Sequence, residues 1–80
     1  MKEFIQKAKK EIVKNYNGNH EEKATEDDIF VVWSCKTLQN KKAILSAGIK
    51  GFPLYEFTWN GDKNEGYLDC YVKESNTLIK

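Results

Sequence analysis

Arginine is absent from this chain of 80 residues, and all 13 of its basic side chains are lysine. The planar guanidinium fork makes the bidentate contacts to phosphate and guanine that sequence-specific DNA reading most often uses, so that mode lacks its main tool. Non-specific phosphate contact through lysine stays open. There is one histidine, His20, beside Glu21 and Glu22, which rules out a zinc site built from several imidazoles of one chain and leaves a solvated loop histidine. The two cysteines, Cys35 and Cys70, form no C-x-x-C pair, so a structural zinc site has no ligand cluster to start from. With no secretion signal in view they are expected to be reduced, buried thiols. The glycine-rich cradle and terminal lysine of a phosphate-binding loop are missing. No stretch nears the roughly 18 apolar residues of a membrane-crossing helix, so the expected location is the cytoplasm, with no membrane partner.

Twelve acidic residues balance the lysines to a formal net charge of +1, which gives no global field for recruiting nucleic acid. With 40% hydrophobic and 31% charged residues, one proline and five glycines, the composition is that of one folded domain spanning residues 1–80.

Phe4, Ile5, Ala8, Ile12 and Tyr16 draw one apolar stripe and predict a helix over about 2–16, stopped by Asn17 and Gly18. Lys7, Lys10 and Lys14 form a basic row off that stripe. Residues 18–28 invert the charge, with Glu21, Glu22, Glu26, Asp27 and Asp28 against Lys23 alone, and read as an acidic loop. That loop lacks the alternating ligands and central glycine of a calcium site. Thr25 followed by Asp28 resembles a helix N-cap and predicts a short turn.

Beyond the loop the apolar period becomes two, and β-branched and aromatic residues predominate. Four strands are predicted, over about 29–38, 42–49, 54–60 and 65–73, followed by a tail at 75–80 in which Leu78 and Ile79 are able to dock. Strict alternation puts Ile29, Val31, Trp33 and Cys35 on one face of the first strand and Phe30, Val32, Ser34 and Lys36 on the other. Tyr55, Phe57 and Trp59 of the third strand and Leu68 and Cys70 of the fourth join the inner face. A hairpin loop at Gln39, Asn40 and Lys41, with Asn40 at positive φ, joins the first two strands, and Asn60 to Asn64 form the clearest turn. Short connections make the fold class α+β: one amino-terminal helix on a four-stranded antiparallel meander.

The outer sheet face then shows Lys36, Glu56, Tyr67, Asp69 and Tyr71. Aromatics on a polar strand face suit protein binding, because they give contact area at little entropic cost. Glu56 and Asp69 have no desolvating pocket to split their pKa values, so acid–base catalysis is not expected. Neither a cofactor nor an enzymatic activity is expected. The alternative partner is nucleic acid, held by Lys7, Lys10 and Lys14. A sheet edge adds strand pairing with another protein or with a second copy, and self-association would help so small a core.

The run Val31, Val32, Trp33, Ser34, Cys35, Lys36, Thr37, Leu38, Gln39, Asn40, followed by Lys42, Ala43, Ile44 and Leu45, resembles a family of small uncharacterised proteins of phages and prophages of Gram-positive bacteria. So does the stretch Tyr55, Glu56, then Asn60 to Glu65, then Tyr67, Leu68 and Asp69. The resemblance implies a genomic setting, in which small non-catalytic proteins often bind a host or phage protein, and it brings no mechanism.

Overall fold

A computed structural model of the chain describes residues 1–72 and 75–79. Helix α1 (Lys2–Asn19) is followed by one 3-10 turn (Glu26–Asp28) and strands β1 (Ile29–Thr37), β2 (Asn40–Ala47), β3 (Leu54–Asn60) and β4 (Glu65–Tyr71). The strands pair antiparallel in the order β1-β2-β3-β4, the predicted meander. Strand β4 ends at Tyr71, with Val72 exposed; Lys73 of the expected last strand, Lys80 of the expected tail and Glu74 between the two lie outside the described residues. Leu78 and Ile79 are exposed rather than docked.

Helix α1 packs on one sheet face because its stripe of Phe4, Ala8, Ile12 and Tyr16 meets Ala43, Leu45, Ala47, Tyr55 and Phe57, all buried. Ala8 and Ala43 are fully buried, and such small side chains let the helix settle over the sheet. Phe4 stacks on Phe57 at 5.3 Å, and Phe52 lies between Tyr16 (4.4 Å) and Tyr55 (5.8 Å). Tyr55 brings a polar end into the core, and its hydroxyl donates to Asn15 Oδ1 at 2.9 Å, tying β3 to the helix.

The helix runs past the expected stop, through Gly18 to Asn19, and His20 leaves it in an extended conformation. Side chains do what a left-handed glycine was expected to do. Asn19 Nδ2 donates to the Asn15 carbonyl (2.7 Å), Lys23 Nζ to the Asn17 carbonyl (2.7 Å), and His20 Nδ1 to the Tyr16 carbonyl (3.0 Å), with its ring stacked on Tyr16. Asn17 clasps the backbone of Ala24 in both directions, fixing the loop's return. The predicted turn at Thr25 forms, with the Thr25 N–H and hydroxyl both donating to the Asp28 carboxylate.

The first hairpin departs from its expected register. Thr37 pairs with Asn40, so the loop is Leu38–Gln39, and Leu38 rather than Asn40 takes positive φ. Asn40 is used otherwise: its Oδ1 accepts from the Gly61 N–H at 3.2 Å and joins the two hairpin ends. There a side chain on Gly61 would meet the Gln39 backbone, its Cβ falling 2.2 Å from the carbonyl oxygen.

Two alanine substitutions should therefore act in opposite directions. Gly18→Ala meets open space in a helix and is expected to stabilise by about 0.5–1 kcal/mol. Gly61→Ala is expected to destabilise by about 1–3 kcal/mol through the forced backbone shift. Urea denaturation of both variants checks the pair. Burial first, and the adjacent Cys70 thiol after it, raise the Tyr55 phenol well above its ordinary value of 10.0. The unfolded chain releases that proton more readily, so stability is full below pH 10 and is lost as pH rises above it. Tyr55→Phe should cost about 1 kcal/mol at neutral pH and flatten the alkaline loss in a stability–pH series.

Candidate protein-binding face

The β1–β2 register sets what the outer face presents. Ile29, Phe30 and Val31 pair in sequence with Ala47, Ser46 and Leu45, and then Trp33, not Val32, pairs with Ile44. Val32 is the extra residue of a β-bulge, and one extra residue reverses the alternation that follows it. Trp33 and Cys35 consequently share the outer face with Phe30, while Ser34 and Lys36 pair with Ala43 and Lys41 on the helix side. Lys36 is thus removed from the expected binding face, and the assigned faces of Trp33, Cys35 and Ser34 are corrected with it.

Directly opposite residues share a face, so the registers give the surface as rows. Cys35, Lys42, Thr58 and Tyr67 form one row, and Trp33, Ile44, Glu56 and Asp69 the next. Beyond them Phe30 faces Ser46 and Leu54 faces Tyr71, with Val32 at the bulge. Phe30 (50%), Val32 (56%), Trp33 (48%), Leu54 (41%), Tyr67 (62%) and Tyr71 (52%) are all substantially exposed. Half of four aromatic surfaces of roughly 150–250 Å² each makes an exposed aromatic area of about 400 Å², divided between the β1 and β4 ends of the face.

Polar groups sit inside this patch. Glu56 bridges to Lys42 at 3.6 Å and accepts from the Tyr71 hydroxyl at 3.4 Å, and Tyr67 donates to Glu65 at 3.2 Å. The Glu56 charge, with smaller contributions from slight burial and from Asp69, raises the Tyr71 phenol above its ordinary value. Expected binding residues Glu56, Tyr67, Asp69 and Tyr71 are brought together. Phe30, which alternation already put on this face, and Trp33, which it put on the other, belong to the site too, with Val32 at the bulge between them. The signal for them was the unbroken apolar run Ile29 to Trp33, which a single-face alternation does not explain.

The lysine row is arranged differently. Lys7 Nζ lies 5.2 Å from the centre of the Trp59 ring. Lys10 and Lys14 are exposed, but at 3.6 residues per turn Glu11, one turn after Lys7, interrupts the row. Beside it, Lys7, Glu11, Trp59 and Leu68 line a shallow hollow between the helix and β4. His20 is exposed at the helix end, as expected of a loop histidine. Among the described residues no three His, Cys, Asp or Glu side chains gather as a metal site would require. No helix among them is long and apolar enough to cross a membrane.

Both cysteines are exposed, which overturns the expectation of buried thiols. Cys35 lost its inner place to the bulge, and Cys70 lies on edge strand β4 beyond the cover of the helix. Β1 and β4 are opposite edges, about 14 Å apart at the usual strand spacing, and the two thiols are on opposite faces. Both should react with a thiol reagent in the native protein, as counted by mass spectrometry. Oxidation of dilute protein should form no bond between them within one chain, since Cα atoms more than about 7 Å apart cannot be bridged.

Fold and face together define a two-layer α+β domain whose sheet is covered on one side and open, aromatic and weakly charged on the other. The chain belongs to a family of unknown function, DUF6275, whose profile matches residues 5–80. No curated protein and no solved structure matches it.

Proposed function

We propose that this chain is a non-enzymatic accessory protein of a phage or prophage, acting in the cytoplasm of a Gram-positive host by docking its outer sheet face onto a host or phage protein. The observation that carries the reading is the exposure of Phe30, Trp33, Leu54, Tyr67 and Tyr71 on one sheet face, with Val32 at the bulge beside them. Aromatic anchors supply most of the energy of a protein interface, and the Lys42–Glu56 pair and Asp69 among them give a partner an orientation to match. The phage setting rests on the resemblance of the Val31–Asn40 run. The shallow hollow beside β4 gathers Lys7 and Glu11 around Trp59 without enclosing a reacting group, which favours binding over catalysis. Nucleic-acid binding by Lys7, Lys10 and Lys14 is less favoured, because Lys7 is spent on Trp59 and Glu11 shares the row.

The test is a tagged pull-down from bacterial lysate, with and without nuclease. Wild-type protein is expected to retain a stoichiometric protein after nuclease treatment. Phe30→Ala with Trp33→Ala, checked for folding by circular dichroism, should weaken that retention at least about tenfold. Lys7→Gln, Lys10→Gln and Lys14→Gln together should leave it unchanged. Retention that disappears with nuclease, or that survives loss of both aromatics, overturns the docking model.

A further inference from the structure

The two edges of the sheet differ. Β1 carries a bulge and a lysine, Lys36, both of which discourage pairing with another chain. Β4 has neither. Its residues Glu65–Tyr71 include no lysine and no proline, its register with β3 is unbroken, and among the described residues β3 is its one neighbour in the sheet. Its outward backbone groups are a template for another strand. On the helix side of this edge Leu68 is only half-buried, and it lines the hollow beside α1 with Glu11 and Gly66.

The order of side chains on β4 selects the occupant. On the outer face Glu65, Tyr67, Asp69 and Tyr71 alternate acid with tyrosine. Read in reverse, as an antiparallel copy presents it, the series becomes tyrosine with acid. We propose that β4 pairs antiparallel with β4 of a second copy about a two-fold axis at Leu68, joining the two sheets into one.

In that register Glu65 faces Tyr71 of the second copy, Tyr67 faces Asp69, Gly66 faces Cys70, and Leu68 faces Leu68. Every β4 carboxylate then lies opposite a phenol and not another carboxylate, and the two leucines cover each other. Centring the axis on Tyr67 sets Glu65 against Asp69 twice, and centring it on Asp69 sets Asp69 against itself. Like charges directly opposite are destabilising, so of these three registers the one centred on Leu68 is favoured. The pairing uses an edge distinct from Phe30 and Trp33. It sets the two outer faces side by side, with Tyr67 and Tyr71 of each copy at the seam.

Sedimentation equilibrium tests the dimer, and engineered cysteines test its register. Wild-type protein is expected to show a concentration-dependent dimer. Tyr67→Asp, exposed and harmless to the fold, creates two Asp–Asp oppositions and should weaken the dimer at least about tenfold; adding Asp69→Lys should restore it. In a Cys35→Ser, Cys70→Ser background Leu68→Cys should form a disulfide-linked dimer under mild oxidation, because opposed strand residues lie within bridging distance. Tyr67→Cys and Asp69→Cys in that background should not. A monomer at every concentration overturns the proposal, as does linkage through position 67 or 69 in place of 68. A dimer indifferent to Tyr67→Asp but dispersed by Phe30→Ala with Trp33→Ala also overturns it, since copies would then meet on the outer face. Loss of partner capture by Phe30→Ala with Trp33→Ala while the dimer stays intact separates this pairing from the docking function.

Discussion

One helix has to cover four strands, and most of what is distinctive here follows from that mismatch. A helix with its side chains is about 10–12 Å across, whereas four strands set their outer backbones about 14 Å apart before side chains are added. The buried side chains accordingly come from β2, β3 and the start of β1, where Ala43, Leu45, Ala47, Tyr55, Phe57 and Ile29 lie under the helix. Leu68 and Cys70 on β4 fall at or beyond its margin. Of the larger side chains, Tyr55, Ile12 and Leu45 are essentially fully buried, a small core even for a domain of this length. The second face stays open because no other element among the described residues covers it.

The polar interactions economise on the same limited material. Tyr55 fills the core and still satisfies its hydroxyl at Asn15, so the largest buried side chain also fastens the two layers together. At the end of the helix, Asn19, His20 and Lys23 satisfy carbonyls that would otherwise need a turn to close them. At the far end of the sheet Asn40 and the close approach of Gly61 to Gln39 lock the two hairpin loops side by side. On the open face Glu56 is shared between Lys42 and Tyr71, which offsets its position directly opposite Asp69.

Much of this was legible before any coordinates. The helix stripe of Phe4, Ala8, Ile12 and Tyr16, the alternation of Tyr55, Phe57 and Trp59, and the turn at Asn60 to Asn64 each follow from a local period or a local turn chemistry. Glu56, Tyr67, Asp69 and Tyr71 were therefore placed on one face correctly. The first strand was misread after Val32, because alternation counts residues and a bulge inserts one without changing composition. Lys36 left the site and Trp33 entered it by that single displacement. The cysteines were misjudged for a related reason: thiols are buried in most proteins, but burial depends on what lies above a residue, which an isolated strand does not specify.

The sequence by itself determined the element types, their order and the antiparallel meander, since these depend on neighbours a few residues apart and on connections too short for any other topology. The tertiary structure decided which strand residues face outward after the bulge, how far the helix reaches across the sheet, and which edge is left bare. Those outcomes depend on pairing between strands and on the width of one helix against four strands, relations among residues far apart in the chain.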